Sequence, residues 1–137
     1  MMSVVLLDTD VVSFLFKGDS RAKAYAPFLK NRKLALSFMT VAELFQWAEI
    51  RKWGPRRIFG LENSLNDYLV LTADIHTCRL WAEVRAHRRA AGRPVSPQDA
   101  WVAATALRYR IPLVTHNAKD FEMTEKLRII TVKRHMN

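Results

Sequence analysis

Val4-Val5-Leu6-Leu7-Asp8-Thr9-Asp10 is the stretch on which the fold turns. Four consecutive apolar residues, two of them β-branched, suit a strand buried on both faces of a parallel sheet. An acid follows at once, in a place where a buried charge needs compensation. Asp10 is positioned to cap a helix continuing through about Phe16. A buried strand that runs straight into a helix is the opening unit of an α/β domain.

The same unit recurs along the chain. Leu34 to Phe38 reads as a second strand, and Thr40 opens a helix in which Val41, Leu44, Phe45 and Ala48 recur at i, i+3, i+4 and i+7. Between them, Gly18-Asp19 breaks the chain and Asp19 or Ser20 starts a helix to about Asn31. Beyond Gly54-Pro55, a helix is expected over Arg56 to Leu65 and a strand over Tyr68 to Leu71. A long basic helix follows over Asp74 to Ala91, stopped by Gly92 and Pro94. Pro97 suits the first turn of a helix through Tyr109, with Ala100, Ala103, Ala104 and Leu107 as its apolar face. Leu113 to Thr115 is a strand, Asp120 to Lys126 a short helix and Ile129 to Val132 the last strand. The alternation predicts one domain over residues 1–137, a three-layer α/β/α fold with a mainly parallel sheet of four to five strands. Right-handed crossovers bring the strand-to-helix turns to one sheet edge, where ligands of such sheets bind.

Half of the 137 residues are apolar, which excludes a disordered chain. Lys and Arg number 22 against 13 Asp and Glu, a net charge of +9 that favours a polyanionic partner over the plainer role of a solvated surface. Cys78 is the single cysteine, so no intramolecular disulfide forms, in keeping with the cytoplasm. Neither a signal peptide nor an apolar run long enough to span a membrane is evident.

Against this basic background the acids at the junctions stand out. Asp8 ends the first strand, Glu43 lies in Thr40-Val41-Ala42-Glu43, Asp99 in Ser96-Pro97-Gln98-Asp99, and Asn117 and Asp120 follow Ile111-Pro112-Leu113-Val114. Taken singly, Glu43 and Asp99 read as capping-box acids and Asp120 as a turn residue. Capping gives no reason for acids to converge, however. Converging carboxylates repel one another, so some protonate or a cation neutralises them. Hard oxygen ligands suit Mg²⁺ or Mn²⁺, which bridges a substrate phosphate, activates water and stabilises the leaving oxygen. A basic chain with such a site points to a nuclease. His76, His87, His116 and His135 show no zinc spacing, and no Gly-rich phosphate loop is present.

The segments Leu7-Asp8-Thr9-Asp10, Thr40-Val41-Ala42-Glu43-Leu44, Pro97 to Ala106 and Leu113 to Phe121 resemble the motifs of PIN-domain proteins, and more closely those of VapC-type toxins of type II toxin–antitoxin pairs. The resemblance spans nearly the whole chain. It implies a Mg²⁺- or Mn²⁺-dependent endoribonuclease with Asp8, Glu43 and Asp99 at the metal. The fourth family position, commonly Asp, is Asn117, and Asp120 then supplies charge directly or through water. Thr9 and Thr115 look like hydroxyls that orient a carboxylate or a water. The resemblance further implies an RNA substrate, a cognate antitoxin and a homodimer, the latter matched by the apolar residues Phe14, Leu15, Phe16, Tyr25, Phe28 and Leu29.

Two readings compete. Val5 to Val12 also fits the first motif of haloacid-dehalogenase-like phosphatases, with Asp8 as nucleophile, but Ile129 to Val132 leads into Lys133-Arg134 rather than an acidic pair, and Glu43 and Asp99 lack a role. A catalytically weak RNA-binding module is the other, kept open by Asn117. For RNA contact the candidates are Arg51-Lys52, Arg56-Arg57, Lys133-Arg134 and above all Arg85, Arg88, Arg89 and Arg93. Trp47, Trp53, Trp81 and Trp101 offer stacking faces, although most helical tryptophans are core.

Overall fold

The computed structural model describes residues 3–132. Five strands form one all-parallel sheet: β1 (Val4–Leu7), β2 (Lys33–Ser37), β3 (Leu69–Leu71), β4 (Leu113–Val114) and β5 (Ile129–Ile130). Their order is β3-β2-β1-β4-β5. The chain therefore winds outward from β1 in one direction, then returns to wind in the other. The reversal falls between β1 and β4, and a crevice opens beyond the carboxyl ends at such a point.

Strand alternation divides the core into two. Val5, Leu7, Leu36 and Val114 pack on one face with helices α1 (Thr9–Lys17), α2 (Ala22–Leu29), α3 (Phe38–Ile50) and α4 (Pro55–Leu65). Leu6, Ala35 and Leu113 point the other way, against α5 (Ile75–Ala90) and α6 (Pro97–Tyr109). Leu6 and Leu7 are fully buried, each worth about 2 kcal/mol in apolar area removed from water. The three-layer fold expected from the sequence is thus present.

Several local expectations change. Asp8, not Asp10, caps α1, its side chain accepting from the Thr9 N–H. In α3 the cap is Ser37, whose Oγ accepts from the Thr40 N–H, so Thr40-x-x-Glu43 is no capping box. β2 ends before Phe38, which starts the helix two residues early and leaves Glu43 deeper in it. Asp120 to Lys126 forms no α-helix: a 3-10 turn covers Ala118–Asp120, and turns follow, with Lys126 at φ 65°. β4 and β5 keep only two residues each, and Thr115, just past β4, still donates its N–H to the Ile130 carbonyl while its hydroxyl turns to Asp8. Phe14 and Tyr25 belong to the core, so of the six apolar residues held in reserve for a dimer only Phe28 is exposed. Among the described residues no helix is long and apolar enough to cross a membrane.

Candidate active site

Asp8 sits at the carboxyl end of β1, 7% exposed. Its two oxygens have separate tasks. Oδ1 accepts the Thr9 N–H at 2.8 Å, which caps α1. Oδ2 accepts the Thr115 hydroxyl at 2.8 Å, across the switch point from β4. Thr115 Oγ1 in turn accepts the Asn117 N–H at 3.1 Å, fixing the loop that leaves β4.

Glu43 is held from the opposite side of the crevice. Thr9 Oγ1 lies 3.0 Å from Glu43 Oε1 and 3.0 Å from Thr40 Oγ1, and Thr40 Oγ1 lies 3.4 Å from Ser37 Oγ. Each hydroxyl owns a single proton. Serving the carboxylate orders the row, with Ser37 donating to Thr40, Thr40 to Thr9 and Thr9 to Glu43. Asp99 enters on the first turn of α6, where its N–H is taken by the Ser96 cap at 3.0 Å.

Asp8, Thr9, Asp10, Glu43, Trp47, Asp99 and Asn117 line one small cavity of about 200 Å³. Asp10 is the acid that sequence reading spent on a helix cap. It lies one residue past Thr9, and its Oδ2 accepts the His116 N–H at 3.1 Å. Asp120 does not line the cavity. It is exposed, yet its charge is felt at Asp99.

The electrostatics are those of acids that raise one another's proton affinity, with the charge of Arg88 opposing at Asp99. Burial, then the charge of Asp10, pushes the Asp8 carboxyl up to about 7, against the opposing bonds from Thr115 and Thr9. Burial, then Asp8 and Asp120, raises Asp99 to about 6. Glu43 is raised as well, by burial first and by Asp99, with the Thr9 hydroxyl opposing. These groups favour a proton or a cation. As they stand, no group of three His, Cys, Asp or Glu side chains among the described residues is already gathered to hold a metal ion. The oxygen donors themselves are of the hard type that Mg²⁺ and Mn²⁺ take.

His116 is turned inward: its Nδ1 meets the Tyr25 hydroxyl at 2.5 Å and its ring packs edge-on against Phe14. The basic residues also separate. Arg88 is buried, with Nε donating to the Arg93 carbonyl at 2.8 Å and an Nη donating to the Asp120 carbonyl at 2.8 Å, so it is no RNA contact. Its side chain lies on the inward face of α5, whereas Arg89 and Arg93 are exposed and Arg85 is half-buried. Lys133-Arg134 lies outside the described residues.

An all-parallel sheet with acids gathered at its switch point defines a class, and the comparisons agree with it. The chain belongs to the PIN domain family, whose domain is matched over residues 5–127. That match leaves the phosphatase reading without support. Within the family the chain is similar to VapC ribonucleases. It is 32% identical to VapC ribonuclease Y4jK of Sinorhizobium fredii over 127 residues, covering 87% of this chain and 91% of that one. It is 29% identical to ribonuclease VapC1 of Haemophilus influenzae over 121 residues, covering 87% and 90%. The solved structure of VapBC-1 from nontypeable Haemophilus influenzae superposes with a TM-score of 0.82 at 29% identity, covering 93% of this chain and 97% of that one.

Proposed function

We propose that this chain is an endoribonuclease, the toxin of a toxin–antitoxin pair, using Mg²⁺ or Mn²⁺ held by Asp8, Glu43 and Asp99. The observation that carries the site is the buried Asp8 carboxyl with the half-buried Glu43 and Asp99 around one cavity, all three with raised affinity for protons. The VapC names support the RNA substrate, and the VapBC complex supports an antitoxin partner. A cytoplasmic location fits such a substrate.

When bound, the metal supplies positive charge against the phosphodiester and acidifies water. The chain's own residues do the positioning. The Thr9 N–H and Thr115 hydroxyl fix both oxygens of Asp8. The hydroxyl row through Thr9 aims Glu43, while the Ser96 cap sets the first turn of α6 and so the place of Asp99. Asn117 borders the cavity without charge, and Asp120 acts from its edge. An acidic cavity with Lys17 and Arg51 set over its Trp47 wall also suits a partner that offers Arg or Lys to the site and acids beside it. A homodimer remains part of this proposal, with Phe28 as its exposed apolar residue.

The test is cleavage of total cellular RNA with Mg²⁺ or Mn²⁺ and with EDTA. Cleavage should need the metal, and Asp8→Asn or Asp99→Asn should lower it by roughly 10³-fold or more while the fold persists. A folded variant with full activity would remove the assignment, and folded unsubstituted chain that binds but never cuts RNA would favour the weak binding module.

A further inference from the structure

A second cavity, about 610 Å³, lies along α5 and the segment leading into α6. Trp81, Arg85 and Arg89 line it at i, i+4 and i+8, one stripe of the helix, with Ala82 and Ala86 leaving room beside them and Pro94 opposite. No carboxylate lines it. A neighbouring cavity of about 500 Å³ differs, since Glu83 and Glu125 there oppose Lys126.

The aromatic wall is fixed in place. The Trp81 indole N–H donates to the Pro97 carbonyl at 3.1 Å, and its ring stacks on Trp101 with centroids 5.0 Å apart and 22° between planes. Trp101 meets Phe38 edge-on at 5.3 Å. On Trp81 also rests the Arg85 guanidinium, 5.5 Å from the ring centroid, with one Nη held by the Val95 carbonyl at 2.9 Å. Trp101 stands two residues beyond Asp99, and Phe38 directly follows β2. Phe38, Trp101, Trp81 and the Arg85 guanidinium thus form one row of planes that ends at the arginine cavity.

We propose that this cavity is a nucleotide subsite for single-stranded RNA: a base stacks against the Trp81–Arg85 pair and its phosphate is met by Arg89. Planar faces with cations and no acid favour a base and phosphate over a protein segment. Because the cavity lies away from the carboxylates, it sets where a strand sits and adds nothing to bond breaking. The proposal rests on the RNA reading above.

Binding of a fluorescein-labelled single-stranded oligoribonucleotide to the full chain in EDTA, at several salt concentrations, tests it. Arg89→Gln should weaken binding roughly 5- to 10-fold and lower the salt slope by about 1. Trp81→Ala should weaken it roughly 10-fold or more without changing the slope. Lys23→Gln makes the same charge change on α2, across the molecule, and should weaken binding clearly less than Arg89→Gln. Equal effects of Arg89→Gln and Lys23→Gln would overturn the subsite, as would unchanged RNA affinity in both Arg89→Gln and Trp81→Ala, the result expected if a protein segment fills the cavity. Should Trp81→Ala fail to fold, the comparison of Arg89 with Lys23 decides alone. Binding is read without cleavage, so a chain that holds RNA here but cuts none would lose the nuclease reading and keep the subsite.

Discussion

Thr115 Oγ1 donates to Asp8 Oδ2 at 2.8 Å and so ties the ends of β1 and β4 together at the switch point of the sheet. The bond lowers the proton affinity of a carboxyl that burial and Asp10 raise. Thr115→Val keeps the shape and removes the donor. The Asp8 carboxyl then rises above its value of about 7. Activity should fall roughly 10- to 100-fold, with the acidic limb of the pH–rate profile displaced to higher pH. A profile that keeps its position would detach Thr115 from Asp8.

The same carboxyls set how the metal-free fold responds to pH. Asp8 titrates near 3.8 when unperturbed and at about 7 in the fold, and Asp99 at about 6. Between those values the folded chain keeps protons that the unfolded chain has lost. Their contribution is complete below about pH 4 and is lost as pH rises through about 6 to 7. Asp19, lowered to about 2 by its bonds from Arg21, acts in the opposite sense but only below about pH 4. Calorimetric melting in EDTA should therefore show Tm falling from about pH 4.5 to about pH 8. Asp8→Asn should flatten the fall, and added Mn²⁺ should raise Tm most at the alkaline end.

How far the sequence revealed this site depends on the residue. Asp8 was legible because an acid directly after Val4-Val5-Leu6-Leu7 has few structural reasons to be there. Asp10 was missed as a cavity acid: one side chain was expected to cap and the other to sit in the site, whereas Asp8 does both. As parts of the site Ser37 and Thr40 carried no signal, since the link from their hydroxyls to Glu43 forms only once β1 and β2 lie side by side and Thr9 approaches. The strands at Leu34 and Leu113 were legible from their apolar runs, but their ends depended on which N–H a side chain captures, as Ser37 does for Thr40. Arg88 shows the opposite failure. A run of basic residues has no mark for the one whose helical position turns it inward.

The fourth position separates two outcomes. Asn117 lines the cavity and Asp120 does not. Asp120→Ala should thus weaken Mn²⁺ binding less than Asp8→Ala, and Asn117→Asp should strengthen it by adding a charged hard oxygen. Calorimetric titration of the three variants measures this. Equal losses in Asp8→Ala and Asp120→Ala would mean that the 118–120 turn moves Asp120 inward to join the ligands.

Arg88 is the strut beneath that turn. Its guanidinium joins the Arg93 carbonyl at the end of α5 to the Asp120 carbonyl beside the site. Arg88→Met preserves much of the bulk but strips both carbonyls of their donor, at a cost of roughly 2–4 kcal/mol. Lys lacks the planar fork that reaches both, so Arg88→Lys should recover only part of the loss. Because Asp120 rides on the turn, activity should fall in the folded fraction as well. RNA affinity of that fraction should stay near its original value, unlike that of Arg89→Gln. Thermal melts together with oligoribonucleotide binding make the comparison. Unchanged Tm with weakened RNA binding in Arg88→Met would return Arg88 to the RNA-contacting surface and contradict its buried place under the turn.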